Sequence, residues 1–281
     1  MWKVSSYLPF RVSYFLSSLT YYPIYYLIRY RRKVTRGNLI KAFPEKDIKE
    51  IVKIEKRFYR FFSDMFAETC KFATISPKEI KKRMRFTNIE EVSREMEAGK
   101  SLTIFMGHYA CWEWVTSLPL WLDSRFVSGQ IYKRLSNWAV DKLMLTNRER
   151  FGATSVEMKQ TMRWTHEQLN NKTVSIMGYI ADQSPRKNNT EHFLNFMHQY
   201  VPTYVGAEKI TKRYGFGAYF LEIKRVKRGY YEATFVRLHD DPQSLPDYEL
   251  TDLYYNKLEE LISSHPEYYL WTHKRFRYAK N

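Results

Sequence analysis

A chain of 281 residues with 44% hydrophobic and 17% aromatic content can bury one large core, which excludes a disordered polypeptide. Its 46 Lys and Arg against 30 Asp and Glu leave a formal charge of +16, so an anionic partner is expected: nucleic acid, an anionic membrane, phosphorylated lipid or an acidic protein. Cys70 and Cys111 have neither metal-ligand nor disulfide-framework spacing and fit a reducing compartment.

Tyr7 to Ile28 carries one charge, Arg11, among six tyrosines, and Arg29, Arg31, Arg32 and Lys33 follow at once. The run is too long for a signal peptide and lacks a small-residue cleavage site. Its Tyr and Ser content predicts a helix lying in the headgroup region or partly inserted, with the basic cluster on the cytoplasmic side. An aromatic-rich core helix is the alternative. Residues 1–33 therefore form one predicted unit, a membrane-associated helix with its basic flank, and 34–281 the main domain.

From about Asp47 to Phe72, the spacing of Ile51, Ile54, Phe58, Phe61, Met65 and Phe72 predicts a packed amphipathic helix. Ser76-Pro77-Lys78-Glu79 opens a short helix with capping-box spacing, and Glu90 to Ala98 is another, stopped by Gly99. Ser101 to Met106 is a short apolar run and reads as a buried strand. Gly107 breaks it, His108 stands in the turn, and Tyr109 to Trp121 is predicted as a helix. With His108 before that helix and Glu113 in its first turns, the carboxylate can hold one ring nitrogen while the other accepts a proton from a hydroxyl.

Further strands are expected at Phe126–Tyr132, Ala153–Val156, Thr173–Tyr179 and Glu191–Met197, with helices at 137–150 and 157–169 between them. Val201-Pro202-Thr203 is expected to open a helix reaching Tyr214. Phe216–Val226 and Tyr230–Leu238 form a hairpin around Lys227-Arg228-Gly229, and Asp252–Ser264 is the last helix. This alternation predicts an α/β fold: a mixed, partly parallel central sheet flanked by helices, with the amino-terminal membrane-associated helix attached. His108, Tyr132-Lys133 and Asp182 all fall at strand ends, where such sheets place their sites.

The stretch GHYACWEW, His108 to Glu113 in particular, resembles the H-x4-E/D motif of the membrane-associated lysophospholipid acyltransferase superfamily. The glutamate form is most similar to the late acyltransferases of lipid A biosynthesis. Asn38, Ala42, Phe43 and Pro44 match an N-x-x-x-A-F-P order of that branch. Ile131 to Met144 resembles its second block with Tyr132 and Asn137 in place, although Lys133 and Arg134 replace the usual Arg and Pro. Arg148-Glu149-Arg150-Phe151-Gly152 resembles the R-x-R-F-G turn, Asp182-Gln183 the Asp-Gln block, Val201-Pro202 the Val-Pro block, and His265 to Arg277 the closing segment.

The resemblance implies a glycerolipid-acyltransferase-like fold and an O-acyltransferase in which a fatty acyl chain passes from a thioester to a hydroxyl of a membrane lipid. It implies His108 as general base with Glu113 as its partner, and Lys133, Asn137, Arg150 and Asp182 as substrate-binding residues. Arg150 could equally be a solvated helix end, and Asp182 a loop cap. The donor is an acyl carrier protein or acyl-CoA, and no metal or other cofactor is expected. The partners are an anionic membrane surface, the lipid acceptor and an acidic acyl carrier protein, with no nucleic acid, and the location is the cytoplasmic face of the inner membrane. A non-catalytic membrane-peripheral protein of the same fold, or a basic nucleic-acid-binding protein, are the other classes weighed. Cys111 is expected to be dispensable, and His273 to be a packing residue.

Overall fold

The computed structural model describes residues 2–185 and 190–280. The chain opens with α1 (Trp2–Tyr7) and α2 (Phe10–Tyr22), which runs on into a π-helical turn at Pro23–Leu27, then α3 (Arg32–Ala42) and α4 (Ile48–Phe72). α4 starts where the sequence predicts it. Asp47 Oδ1 accepts from the Glu50 N–H at 2.8 Å and the Glu50 carboxylate accepts from the Asp47 N–H at 3.3 Å, a reciprocal cap. Its stripe of Ile51, Ile54, Phe58, Phe61 and Phe72 is buried.

The helix α2 is amphipathic in the inverted sense. Its buried face against α4 carries Ser13, Ser17 and Tyr21, with Ser17 Oγ donating to Asp64 and Tyr14 Oη donating to Glu68. Its outer face presents Val12, Phe15, Leu16 and Leu19, and the exposed apolar surface continues through Tyr22, Tyr26, Leu27 and Ile28. A helix that buries hydroxyls and exposes leucines is not arranged for water on its outer side. No helix of the described residues is long and apolar enough to cross a membrane.

Next come α5 (Pro77–Arg83), β1 (Met84–Phe86), α6 (Ile89–Glu97) and β2 (Leu102–Met106). The segment predicted as a helix from Tyr109 is instead a 3₁₀ helix at Trp112–Trp121, which contains Pro119. The proline removes a backbone donor, and Tyr109 and Ala110 are committed to other pairings described below. Beyond it lie β3 (Val127–Tyr132), α7 (Trp138–Glu149), β4 (Thr154–Glu157), α8 (Thr161–Asn170) and β5 (Ser175–Ile180).

A two-stranded antiparallel pair, β6 (His192–Phe196) and β7 (Gln199–Thr203), forms a sheet separate from the main one. The Val201-Pro202-Thr203 stretch is thus a strand end and not a helix start. α9 (Gly206–Tyr214) begins only after it, and its chain ends in left-handed Gly215. The hairpin β8 (Gly217–Lys227) and β9 (Tyr230–His239) turns through Gly229 at φ 75°, and α10 (Glu249–Ser264) closes the fold.

Among the described residues the main sheet has seven strands in the order β1-β9-β8-β2-β5-β3-β4. All its pairs are parallel except the β8–β9 hairpin, so β8, β2, β5, β3 and β4 end at one edge. β2 is central and buried along its whole length, as a strand covered on both faces should be. At its end, Gly107 is required by space: a Cβ there would lie 2.5 Å from a methyl of Leu258 on α10.

Candidate active site

β2 and β5 run side by side in register, with Met106 opposite Ile180. Two residues past each strand end stand His108 and Asp182, so the parallel pairing alone brings these side chains together. His108 Nδ1–H donates to Asp182 Oδ1 at 2.6 Å, and the His108 backbone N–H donates to Oδ2 at 3.1 Å. Asp182 is fully buried. Burial by itself would raise its carboxyl pKa, but the charge and hydrogen bonds of His108, with a further hydrogen bond from Tyr269, hold it below the ordinary value.

With Nδ1 so engaged, His108 presents Nε2 outward, and the Gln183 amide donates to it at 3.2 Å. The ring keeps 19% of its surface exposed and meets Trp112 edge-on at 5.3 Å. An oriented imidazole with a buried carboxylate behind it and an accessible nitrogen in front is the arrangement of a general base.

Glu113 does not supply that carboxylate. Its two oxygens accept from Arg148 Nε and Nη2 at 2.8 and 2.6 Å, a fork between the 3₁₀ helix and the end of α7. Arg148 is mostly buried, and Glu113 keeps it charged against the cost of that burial. Glu113 stands in the first turn of the 3₁₀ helix, five residues past His108, and the arginine that opens the R-x-R-F-G turn takes its carboxylate. The carboxylate on the His108 ring is thus that of Asp182, and the one the sequence reading assigned to it is paired with Arg148.

Other expected site residues separate in the same way. Asn137 caps α7, its Oδ1 accepting from the N–H groups of Ala139 and Val140. Arg150 Nη1 donates to the carbonyls of Phe72 and Ile75 at 2.6 and 2.7 Å, fastening the end of α4 to the turn after α7. Lys133 lies exposed past the end of β3, on the same sheet edge as His108. Cys111 is wholly buried, and burial followed by the proximity of Glu68 pushes its thiol far above the ordinary value.

The closing segment straps the motif loop. Ala110, at φ 49°, donates its N–H to the Tyr268 carbonyl, Tyr109 bridges to Tyr269, and the Leu270 N–H donates to the His108 carbonyl at 3.0 Å. Asn38 Nδ2 then holds the carbonyls of Trp271 and His273. His273 is held neutral, its pKa lowered to about 4 by burial and by positive neighbours. Fully buried Arg275 donates to Tyr255 Oη, which donates to the Ala181 carbonyl and so fixes the loop carrying Asp182.

Sequence reasoning gave Asp182 a substrate-binding role and Gln183 none; the structure brings both onto the ring of His108. The available signal was their position: both stand within four residues of the end of a predicted apolar strand, as His108 stands just past the end of its own.

A family model described as bacterial lipid A biosynthesis acyltransferase matches residues 1–278. The chain belongs to this family. No curated protein matches it. As a member of the lipid A biosynthesis acyltransferase family the protein is an acyltransferase, and the motifs singled out in the sequence converge here from distant parts of the chain. The Asp-Gln block meets the histidine, the R-x-R-F-G turn meets the glutamate, and the closing segment clamps the loop between them.

Proposed function

We propose that this acyltransferase moves a fatty acyl chain from a thioester to a hydroxyl of a lipid A-type acceptor, with His108 as general base and Asp182 as its orienting carboxylate. The observation that carries the reading is the 2.6 Å hydrogen bond from His108 Nδ1–H to a buried carboxylate, which leaves Nε2 to face the acceptor. The acceptor hydroxyl takes the place of the Gln183 amide at Nε2 and gives up its proton as its oxygen attacks the thioester carbonyl. The resulting oxyanion is stabilised by backbone N–H groups at the start of the 3₁₀ helix, where Trp112 and Glu113 precede its first bond, from the Trp114 N–H to the Cys111 carbonyl. The C–S bond then breaks, and the thiolate leaves with the proton returned by the imidazolium. No covalent acyl-enzyme is needed, and Glu113 serves by holding the 3₁₀ helix in place through Arg148.

The donor thioester is carried by an acyl carrier protein or by CoA, and the surplus of basic residues suits either anionic carrier. The inverted face of α2 and the arginines after it suit attachment to the cytoplasmic face of the inner membrane, the outer leucines and aromatics entering the interface. Transfer of a labelled acyl group to a lipid extract tests the reading. His108→Ala and Asp182→Asn should both lose activity while remaining folded by circular dichroism, and wild-type rates from His108→Ala would place the site elsewhere.

A further inference from the structure

Apart from the catalytic loop lies a basic hollow that the transfer chemistry does not use. Arg29, Arg31, Arg32, Lys33, Val34 and Arg36 line a space of about 410 Å³ between the end of the π-helical turn and the first turns of α3. Buried Glu55 faces these cations, taking Arg36 at 2.8 and 2.9 Å and Arg32 at 3.3 Å. Arg29, Arg31 and Lys33 are exposed. Arg29 and Arg31 both stand in the left-handed region, at φ 54° and 48°, which few residues with a side chain adopt.

The hollow is tied to the catalytic loop through the closing segment. Arg31 Nη1 donates to the Thr272 carbonyl at 3.2 Å, two residues after Leu270, whose N–H donates to the His108 carbonyl. Exposed Tyr26, Leu27 and Ile28 lead directly into Arg29 and are continuous with the apolar face of α2. A ligand seated here must be anionic at one end and apolar along its length, with a group able to accept from several guanidinium forks.

We propose that the hollow of Arg29, Arg31, Lys33 and Arg36 is a binding subsite for the phosphate of the lipid acceptor's headgroup, which holds the acceptor so that its hydroxyl reaches His108. The proposal rests on the acyl-transfer reading for what the subsite serves, but the binding itself does not. Phosphate fits better than carboxylate because it brings a third acceptor oxygen and up to two negative charges to a hollow with three exposed cations. The volume exceeds that of a bare phosphate and has room for the sugar or glycerol attached to it. Arg32 and Arg36 are oriented by Glu55, which leaves Arg29, Arg31 and Lys33 to approach the ligand.

The test is calorimetric titration of the full-length enzyme in a non-ionic detergent with dihexanoyl phosphatidic acid, inorganic phosphate and dihexanoyl phosphatidylcholine as probes. Saturable binding of phosphatidic acid with no binding of phosphatidylcholine is expected. Arg29→Gln with Lys33→Gln should weaken it by about tenfold or more. Lys159→Gln with Arg163→Gln, exposed on and just before α8, removes the same charge and should leave it unchanged. Arg29→Lys with Lys33→Arg keeps the charge and should restore binding, which separates the role from misfolding. Inorganic phosphate competing for the same site supports recognition of the phosphate alone. Phosphatidic acid binding without such competition supports joint recognition of phosphate and chain. Equal losses in the two neutralised variants would overturn the subsite in favour of general attraction. His108→Ala should bind phosphatidic acid like the wild type, so loss of transfer and loss of the subsite are read separately.

Discussion

Asp182 follows β5 by the same two residues that separate His108 from β2, and the in-register pairing of Met106 with Ile180 makes the two side chains neighbours. The dyad is therefore a product of sheet topology. If the two act as one unit, Asp182→Asn should reduce transfer by roughly 10²–10⁴-fold, because an amide cannot stabilise the imidazolium that forms. The double variant with His108→Ala should be no worse than His108→Ala alone, since groups acting together are not additive. Multiplying effects in the double variant would separate the two residues.

Glu113 and Arg148 carry a different prediction. Removing one partner of a mostly buried ion pair costs roughly 3–5 kcal/mol, on the order of 10 °C in Tm for a domain of this size. Glu113→Gln keeps one hydrogen bond and should fall at the low end, and Glu113→Gln with Arg148→Gln should recover part of the loss. Calorimetric melts decide it. An unchanged Tm combined with complete loss of transfer would mean that Glu113 acts directly on the reacting groups.

Much of the fold was legible because its signals are local. The Asp47 cap, the stripe of α4, the apolar β2 run and the Gly229 hairpin each depend on a few adjacent residues. The partnership of His108 was not, because strand order decides it: nothing within the sequence between them says that β5 returns to lie against β2. Glu113 misled for the same reason, since its spacing from His108 fits a contact while its actual partner comes from the end of α7. Val201 and Pro202 were read as a helix start, where proline is common, but Pro202 is also tolerated in an isolated two-stranded pair.

Cys111 stands between His108 and Glu113, yet its thiol is buried and its pKa is pushed far up, first by burial and then by Glu68. Cys111→Ala should therefore keep transferring acyl groups, at a packing cost of about 1 kcal/mol. Intact-mass spectrometry of enzyme incubated with an acyl donor should show no added acyl chain. A stable adduct on Cys111 would replace direct transfer by a two-step route.

The inverted face of α2 predicts how the enzyme meets a bilayer. Phe15 is 64% and Leu19 50% exposed, and both lie opposite the hydroxyls that face α4. Each apolar side chain entering the interface contributes roughly 1.5–3 kcal/mol at full burial, so Phe15→Ser with Leu19→Ser should weaken flotation with anionic vesicles by at least about tenfold. High salt should weaken the wild type too, by screening the basic cluster, which contributes about 1 kcal/mol per cation near the surface. Vesicle binding that is indifferent to the serine pair would assign attachment to another surface.

Glu68 is the buried carboxyl beneath that helix. Tyr14 Oη and Tyr231 Oη donate to its two oxygens at 2.8 and 2.7 Å, Arg225 and Asp64 lie nearby, and Cys111 faces it from the motif loop. Burial raises its pKa to about 7 against the favourable hydroxyls and Arg225. Between the ordinary carboxyl range and about pH 7 the folded protein therefore holds a proton that the unfolded chain has released. By linkage, stability contributed by that proton is full below the unfolded pKa and is lost as pH rises through the folded one. The loss amounts to about 3 kcal/mol across that window, at ~1.4 kcal/mol for each pH unit it spans. Glu68→Gln should flatten the stability profile across the same range and leave the variant the more stable form at about pH 8, one tyrosine donating to the amide oxygen and the other turning to accept from its NH₂. Urea unfolding at about pH 5, 6, 7 and 8 measures it, and a variant with the wild-type slope would show that Glu68 is ionised throughout and that its tyrosines, with Arg225, outweigh its burial.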